Sequence, residues 1–520
     1  MSITTIRLAR RAGAFAICFA FCHLAHAEAP ALDGDDVKRA VGQFKPVLEK
    51  AIRDIGVPGV AVGVVFNDQL VWSAGYGVRE VGKPEPIDDH SLFQLASVSK
   101  PIGATVIARM VGERRLRWED PVVTYMPGFG LADRWISRRV TIADMYSHRS
   151  GLPDHAGDDL EEIGYTREQI FARLRMHRMN DFRADYAYTN YGLTAAAEAA
   201  ANAIDMTWAD ASRELLYKPA GMTSTTSRFD EYMASSNRAV PHVRLPDGTW
   251  VAKFQQQPDE TSPAAGVASN VVDLARWMRL QLNAGVLDGR QIVDTAALAK
   301  THVPYALSQD VPSYTARPNH YGLGWYVDVD EMGQVRWWHS GAFALGASTI
   351  VYLVPSQKLG IVILTNGFPV GLPEAMAQVF LDMAFHGEPR QDWFAAYNAA
   401  FEAALYPKAD PDYSKPPPNA APPSSALSAY TGTYHNGYYG QLTVFLGADG
   451  QLAMAMGPAQ RVFRLGHYSG DTFWYTPPGE FGVAPSAAKF AFGQGQVSLV
   501  IEGFSRDYLQ NNHGPFLRRY

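Results

Sequence analysis

Ser97 and Lys100 stand three residues apart in Phe93-Gln94-Leu95-Ala96-Ser97-Val98-Ser99-Lys100-Pro101. The stretch reads as the end of an apolar segment running into the first turn of a helix, with Ser97 at its N-terminal edge. On a helix this spacing puts both side chains on one face. A lysine so placed can take the serine's proton if burial and the positive helix end lower its pKa. The N–H-rich end also favours negative charge developing nearby. These are the parts of an activated nucleophile. A Ser-x-x-Lys tetrad occurs on surface helix turns as well, so the rest of the chain has to supply partners.

A second group is Tyr188 and Asn190, in Tyr186-Ala187-Tyr188-Thr189-Asn190-Tyr191-Gly192. A loop with this spacing can present a phenol and a carboxamide to one pocket. A phenol beside a lysine ammonium is expected to ionise below its usual pKa of about 10, which makes Tyr188 a candidate general base or proton shuttle. Asn190 would orient the lysine and donate to a substrate carbonyl or amide. Tyr186 and Tyr191 read as packing. A third group is Trp337-Trp338-His339-Ser340-Gly341-Ala342, expected at the end of a strand, where Gly341 lets backbone or substrate approach closely. His148 reads as a structural histidine bonded within its loop. Five acids and His155 crowd residues 154–162. Their spacing fits neither an EF-hand nor a zinc helix, and the run reads as a solvated loop.

The elements that must position these residues follow from periodicity. Apolar spacing predicts an amphipathic helix over 35–55 and strands over 59–66 and 70–77, joined by Asn67-Asp68-Gln69. A buried helix is expected over 101–112, an Ala-rich helix over 193–204 and an amphipathic helix over 271–282. Strand-like runs over 321–329, 335–339, 348–354 and 360–364 form an antiparallel meander. The pattern is a sheet covered by helices.

At 520 residues the chain exceeds one comfortable core. Its 47% hydrophobic and 19% charged content are those of a globular protein. A net charge of −6 carries no nucleic-acid footprint. Arg7, Arg10 and Arg11, the apolar run 12–24 and Ala25-His26-Ala27 read as a signal peptide cleaved after Ala27. That implies a periplasmic or secreted protein. The run is shorter than the ~20 residues of a spanning helix, so no stable membrane anchor is expected. Both cysteines, Cys18 and Cys22, fall inside it, leaving no disulfide, thiol nucleophile or thiolate metal site in the mature chain.

In this order Ser97-x-x-Lys100, Tyr188-x-Asn190 and His339-Ser340-Gly341 resemble the serine β-lactamase and penicillin-binding-protein superfamily. The branch is that of class C β-lactamases, D-Ala-D-Ala carboxypeptidases, D-aminopeptidases and esterases. Ser147-His148-Arg149-Ser150-Gly151-Leu152-Pro153 looks like the family's His-x-Ser-Gly-Leu loop. Pro219-Ala220-Gly221-Met222 looks like its Pro-Leu-Gly-Met turn, with Ala220 in place of Leu. The likeness covers roughly residues 35 to 390. It implies an α+β fold in which an antiparallel sheet lies between helical layers, with an all-helical lobe inserted. It implies Ser97 as the acylated nucleophile, Lys100 as its activating amine and Tyr188 as proton relay. Asn190 would contact lysine and substrate, and the N–H groups of Ser97 and Ala342 would form the oxyanion hole, worth very roughly 3 kcal/mol per donor. No cofactor or metal is implied, and the partner is a small-molecule or short-peptide substrate. One departure matters. His339 stands where many β-lactamases have the lysine of Lys-Thr-Gly, and a largely uncharged imidazole weakens carboxylate recognition. Efficient penicillin turnover is therefore not expected. No Gly-x-Ser-x-Gly elbow and neither His-x-His nor His-Glu-x-x-His occurs, against an α/β-hydrolase or a zinc hydrolase.

These readings divide the chain into a leader (1–27), a hydrolase domain (28–395), a Pro-rich linker (396–425) and a C-terminal domain (426–520). The last has short alternating strands over 441–446, 451–456, 462–467, 472–476, 489–492 and 497–504, which suggest a small antiparallel barrel. It resembles the lipocalin-like domain appended to some family members. It would either narrow access to the Ser97 cleft or act as a passive stability or partner-binding module. The function implied is hydrolysis of an ester or amide, in D-amino-acid peptides or amides or in small esters, through a Ser97 acyl-enzyme. The rival is a non-catalytic or slowly acylating binding or sensor protein.

Overall fold

The computed structural model describes residues 31–520 except 246, 312, 314, 406–411, 480–484, 494, 505–512 and 520. The expected leader, with Cys18 and Cys22, lies outside the described residues. Helix α1 (Gly34–Ile55) begins at Asp33, whose carboxylate accepts from the N–H groups of Asp35 and Asp36, and stops at Gly56, which takes φ 75°. Val37, Ala40, Val41, Phe44 and Leu48 form its buried stripe. Strands β1 (Gly59–Phe66) and β2 (Gln69–Gly77) follow as a hairpin. Asn67 and Asp68 turn it with φ of 44° and 61°, the primed geometry that matches strand twist.

Six more strands complete an antiparallel sheet: β3 (Ala306–Leu307), β4 (His320–Tyr321), β5 (Tyr326–Val329), β6 (Val335–Phe343), β7 (Ala347–Val354) and β8 (Leu359–Thr365). Their order is β2-β1-β8-β7-β6-β5-β4-β3. The sequences of β1, β7 and β8 are almost wholly apolar because both faces are covered. Val60, Val62, Ile350 and Ile363 share one core with α1 and the helix α5 (Leu372–His386). Ala61, Val65, Val351 and Leu364 point the other way, into the core of α2 (Ser99–Gly112) and α4 (Val271–Leu282). Gly63 permits that second packing, since a Cβ there would stand 3.2 Å from the Val271 Cβ. A mainly helical lobe lies between α2 and α4 in sequence, around α3 (Asn190–Asn202), whose alanines are buried; the same segment carries a short strand pair, Val243–Arg244 with Trp250–Val251.

Several boundaries differ from the sequence reading. The run expected over 321–329 is two strands, β4 and β5, because residues 322–325 turn the chain back between them. Strand β6 does not end at the His339 motif; it runs on through Ala342 to Phe343, because β7 keeps pairing with it as far as Phe343–Ala347. The chain from 396 to 405 is not linker but most of helix α6 (Trp393–Leu405). Trp393, Phe394, Tyr397 and Leu405 pack on the core beside α5.

The C-terminal part is a nearly closed barrel of nine strands: β9 (Gly432–Asn436), β10 (Gly440–Leu446), β11 (Leu452–Met456), β12 (Arg461–Arg464), β13 (Gly466–Ser469), β14 (Thr472–Tyr475), β15 (Ser486–Gly493), β16 (Gln496–Ile501) and β17 (Phe516–Arg519). They run β12-β11-β10-β9-β17-β16-β15-β14-β13. The single run expected over 462–467 is thus two strands broken at Leu465, and β9 and β17 are additions to the expected set. Tyr430, Tyr434, Phe473 and Phe490 fill the interior with edge-to-face rings. The barrel is not loosely tethered, for its buried residues and those of the helical lobe form one continuous apolar cluster.

Candidate active site

Ser97 lies in a short turn of 3₁₀ helix leading into α2, and within residues 91–100 it alone has partial exposure. The preceding residue, Ala96, takes φ 47°, a conformation costing a non-glycine residue about 1–3 kcal/mol. Burial against Ala265, Phe343 and Ala347 holds it there. The sheet grips the same turn: Thr349 Oγ1 on β7 donates to the Leu95 carbonyl at 2.7 Å. Gly341 on β6 lies so close that a Cβ would stand 2.2 Å from that carbonyl and 3.0 Å from the Ser97 nitrogen. His339 and Gly341 are buried while Ala342, paired with Ser348, is exposed at the strand's rim.

Lys100, the second residue of α2, is fully buried. Its Nζ donates to Ser97 Oγ at 3.0 Å, Asn190 Oδ1 at 2.7 Å and the Ala264 carbonyl at 3.1 Å. Burial lowers its pKa to about 7, with the Asp158 charge opposing. Near neutral pH a substantial share of this amine is therefore uncharged and able to accept a proton. The Tyr188 hydroxyl donates to Ser97 Oγ at 2.9 Å, and the Lys100 Nζ lies 4.5 Å from the centre of its ring. The pKa shift runs opposite to the lowering expected from the sequence. Burial pushes the Tyr188 phenol well above its ordinary pKa, and the charges of Asp158 and Asp154 push the same way. In this site the phenol donates to Ser97 Oγ, and Lys100 is the group that burial brings toward its uncharged form.

Asn190 opens α3, which explains its placement: the helix start fixes its backbone while its side chain spans two partners. Its Oδ1 takes the lysine and its Nδ2 donates to Asp158 Oδ2 at 2.7 Å. His155 Nδ1 reaches the same Asp158 oxygen at 2.7 Å. Burial opposes protonation of His155, but the hydrogen bond to Asp158 and its charge prevail and raise the pKa. His148 is structural as expected, though its bond reaches another loop: its Nδ1 accepts from the Thr189 N–H at 3.2 Å and its ring packs 4.5 Å from Tyr188.

His339 is engaged on both nitrogens. Nδ1 lies 2.6 Å from the Ser340 carbonyl, which can only accept, so Nδ1 carries the proton. Nε2 then accepts from the Tyr321 hydroxyl at 2.8 Å. Burial, with Lys100 nearby, lowers its pKa to about 3. The ring is neutral and has no spare donor for a substrate carboxylate.

The structure thus brings Ser97, Lys100, Tyr188, Asn190, His339, Gly341 and Ala342 to one place where α2, α3 and β6 meet. The sequence reading missed Asp158 and His155. The run 154–162 is not a solvated loop: Asp159 and Glu162 are buried and Asp158 is tied to Asn190. The signal was Ala156, Leu160 and Ile163, apolar residues at helical spacing among the acids, all fully buried.

The chain is similar to known proteins. Residues 44–381 match the Beta-lactamase family, and residues 416–507 match a domain of unknown function (DUF3471). The unguisins hydrolase ungD' of Aspergillus campestris (strain IBT 28561) is 26% identical over 439 residues, which is 79% of each chain. Penicillin-binding protein 4 of Amycolatopsis lactamdurans is 28% identical over 320 residues, 60% of this chain and 81% of that one. The octameric penicillin-binding protein homologue from Pyrococcus abyssi shares the fold, with TM-score 0.59 at 17% identity over 92% of this chain and 100% of that one. The matched segment from Phe44 to Leu381 holds every residue of the site just described, and the chain belongs to the Beta-lactamase family.

Proposed function

We propose that the protein is an exported serine hydrolase that opens an ester or amide in two steps. The observation that carries this is a buried lysine, pKa about 7, whose Nζ stands 3.0 Å from Ser97 Oγ while Tyr188 donates to the same oxygen. Neutral Lys100 takes the Ser97 proton as Oγ attacks the substrate carbonyl. The tetrahedral oxyanion forms between the N–H groups of Ser97 and Ala342. As the carbon–leaving-group bond breaks, the Tyr188 hydroxyl, reprotonated from Lys100, supplies the proton to the departing amine or alkoxide. Water then attacks the acyl group, giving its proton to Lys100, and Ser97 is regenerated.

The substrates we propose are D-amino-acid peptides or amides and small esters. Relatives named as hydrolases of unguisins agree with a hydrolytic role. Neutral, fully engaged His339 argues against tight binding of the β-lactam carboxylate. The test is intact-protein mass after treatment with a fluorophosphonate, beside Ser97→Ala. One adduct, absent from the variant, is expected, followed by turnover of D-peptides or esters and slow or absent nitrocefin hydrolysis. Folded protein that takes no adduct overturns the reading. A burst of acylation without steady turnover favours a slowly acylating binding protein instead.

A further inference from the structure

The turn that joins β9 to β10 leaves the barrel with its backbone fixed. Asn436 Oδ1 accepts from the N–H groups of Tyr438 and Tyr439 at 2.8 and 3.1 Å, and its Nδ2 donates to the carbonyls of His513 and Gly514 at 3.0 and 3.1 Å. The two tyrosines are buried in the helical lobe. The lobe holds the turn in return: Tyr165 Oη donates to the Tyr439 carbonyl at 2.9 Å and Arg173 Nε to the Tyr438 carbonyl at 3.0 Å.

Both hydroxyls converge on one carboxylate. Tyr438 donates to Asp159 Oδ1 at 2.8 Å and Tyr439 to Asp159 Oδ2 at 2.7 Å. Asp159 is buried, and burial pushes its pKa up to about 7 while the two phenols pull it down. A buried acid is a poor source of stability, because phenylalanines against an apolar residue would fill the same space without desolvating a charge. What two short bonds to both oxygens do supply is position. Asp159 is joined by one peptide bond to Asp158, whose Oδ2 receives Asn190 Nδ2 and His155 Nδ1, each at 2.7 Å. Asn190 in turn receives Lys100 at 2.7 Å, and Lys100 reaches Ser97 at 3.0 Å. An unbroken path of short bonds runs from the barrel to the nucleophile.

We propose that the barrel positions the lysine: the hydroxyls of Tyr438 and Tyr439 fix Asp159, and so hold the Asp158 carboxylate where it orients Asn190 and Lys100. This rests on the reading of Ser97 and Lys100 as nucleophile and base. Tyr438, Tyr439, Asp159 and Asp158 are positioning residues, since each acts through Asn190 and Lys100. The role differs from narrowing the cleft, because the contact is with the support of Asn190.

The test is the rate of Ser97 acylation by a fluorophosphonate in the full-length protein, followed from about pH 5 to about pH 9, with thermal unfolding measured in parallel. The variants are Tyr438→Phe, Tyr439→Phe, the two together, Asp159→Ala and Asp159→Asn. The charged and titratable groups around Lys100 are Asp158, His148, His155, His339 and Tyr188; those around Asp159 are Asp158, Tyr438 and Tyr439. His148 and His339 stay neutral across this range, held low by burial, and burial keeps Tyr188 protonated.

The double Tyr→Phe variant is expected to acylate about ten- to a hundredfold more slowly, the scale set by displacing a reacting group by about an ångström. Its acid limb moves to lower pH, because the Asp158 charge that opposes loss of the lysine proton is no longer held in place. Asp159→Ala behaves alike. Asp159→Asn, which keeps an acceptor oxygen without the titrating charge, retains most of the wild-type rate. Each single Tyr→Phe variant removes one hydroxyl and keeps the ring, so the slowing and the shift are read there if the double variant does not fold. Variants that lose thermal stability yet acylate with the wild-type rate and pH profile overturn the proposal and leave the hydrolase reading standing. Wild-type protein that is never acylated overturns both.

Discussion

To take a proton in the proposed mechanism Lys100 has to be uncharged, and burial favours that form. Full burial disfavours the ammonium, while one carboxylate held through Asn190 keeps the shift from going further. The sign of the pH dependence follows. A base with pKa about 7 is mostly protonated below that pH and mostly free above it, so acylation of Ser97 rises as pH rises through 7 and then levels off. Asp158→Asn keeps an acceptor for Asn190 but removes the opposing charge, and its acid limb should lie at lower pH. Lys100→Arg retains a cation that cannot deprotonate, and acylation should fall by about 10²- to 10⁴-fold. A pH series of fluorophosphonate labelling rates checks all three. A limb that does not move in Asp158→Asn would show that this carboxylate exerts no field on the lysine.

At the scale of elements, the site depends on how close strand β6 can come to the turn that carries Ser97. Gly341 sets that distance, with no room for a side chain between the Leu95 carbonyl, Thr349 Oγ1 and the Ser97 nitrogen. Gly341→Ala must therefore push β6 away from the nucleophile or strain the turn. Either movement separates Ala342 from Ser97, the two residues whose N–H groups are assigned to the oxyanion. The expected result is a folded protein with labelling reduced by at least about a hundredfold, the cost of one lost oxyanion donor. Thermal unfolding beside labelling kinetics makes the comparison; labelling at the wild-type rate would remove Ala342 from the site. The strand's own continuity serves the same end. By pairing with β7 as far as Phe343, it carries His339, Gly341 and Ala342 on one rigid ladder instead of a loop.

For the whole molecule, the barrel and the helical lobe behave as one body. Gly457 packs against the Ile163 carbonyl and Gly164 against Ala459, so neither side leaves room for even a methyl group. Removing residues 426–520 would uncover Tyr165, Ile163 and the Asp159 carboxyl together, a patch both apolar and charged in the wrong place. The truncated protein should unfold at a lower temperature and bind a hydrophobic dye that the full chain does not. A soluble truncation with the full-length unfolding temperature would mean that the interface contributes nothing to stability. Among the described residues no helix is long and apolar enough to cross a membrane.

Much of this was legible in the sequence. Helix α4 falls on the span its apolar spacing predicts, and β1 on the span of its continuous apolar run, which reflects burial on both faces. Ser97, Lys100, Tyr188 and Asn190 could be singled out because local spacing on helices and loops is a property of the chain itself. What spacing does not encode is environment. Tyr188 was expected to ionise readily beside a lysine; burial, contributed by residues far away in sequence, pushes its pKa upward while it lowers that of Lys100. His339 was expected to be largely uncharged, but only Tyr321 and the Ser340 carbonyl decide that both nitrogens are occupied. The acids at 154–162 looked solvated because charged residues are usually exposed, and their partners Asn190, Tyr438 and Tyr439 arrive from 32 to 280 residues away. The sequence by itself determined which groups could do chemistry and which elements would carry them. The tertiary structure alone decided their protonation and their partners, since desolvation and hydrogen bonding depend on whatever the fold brings near.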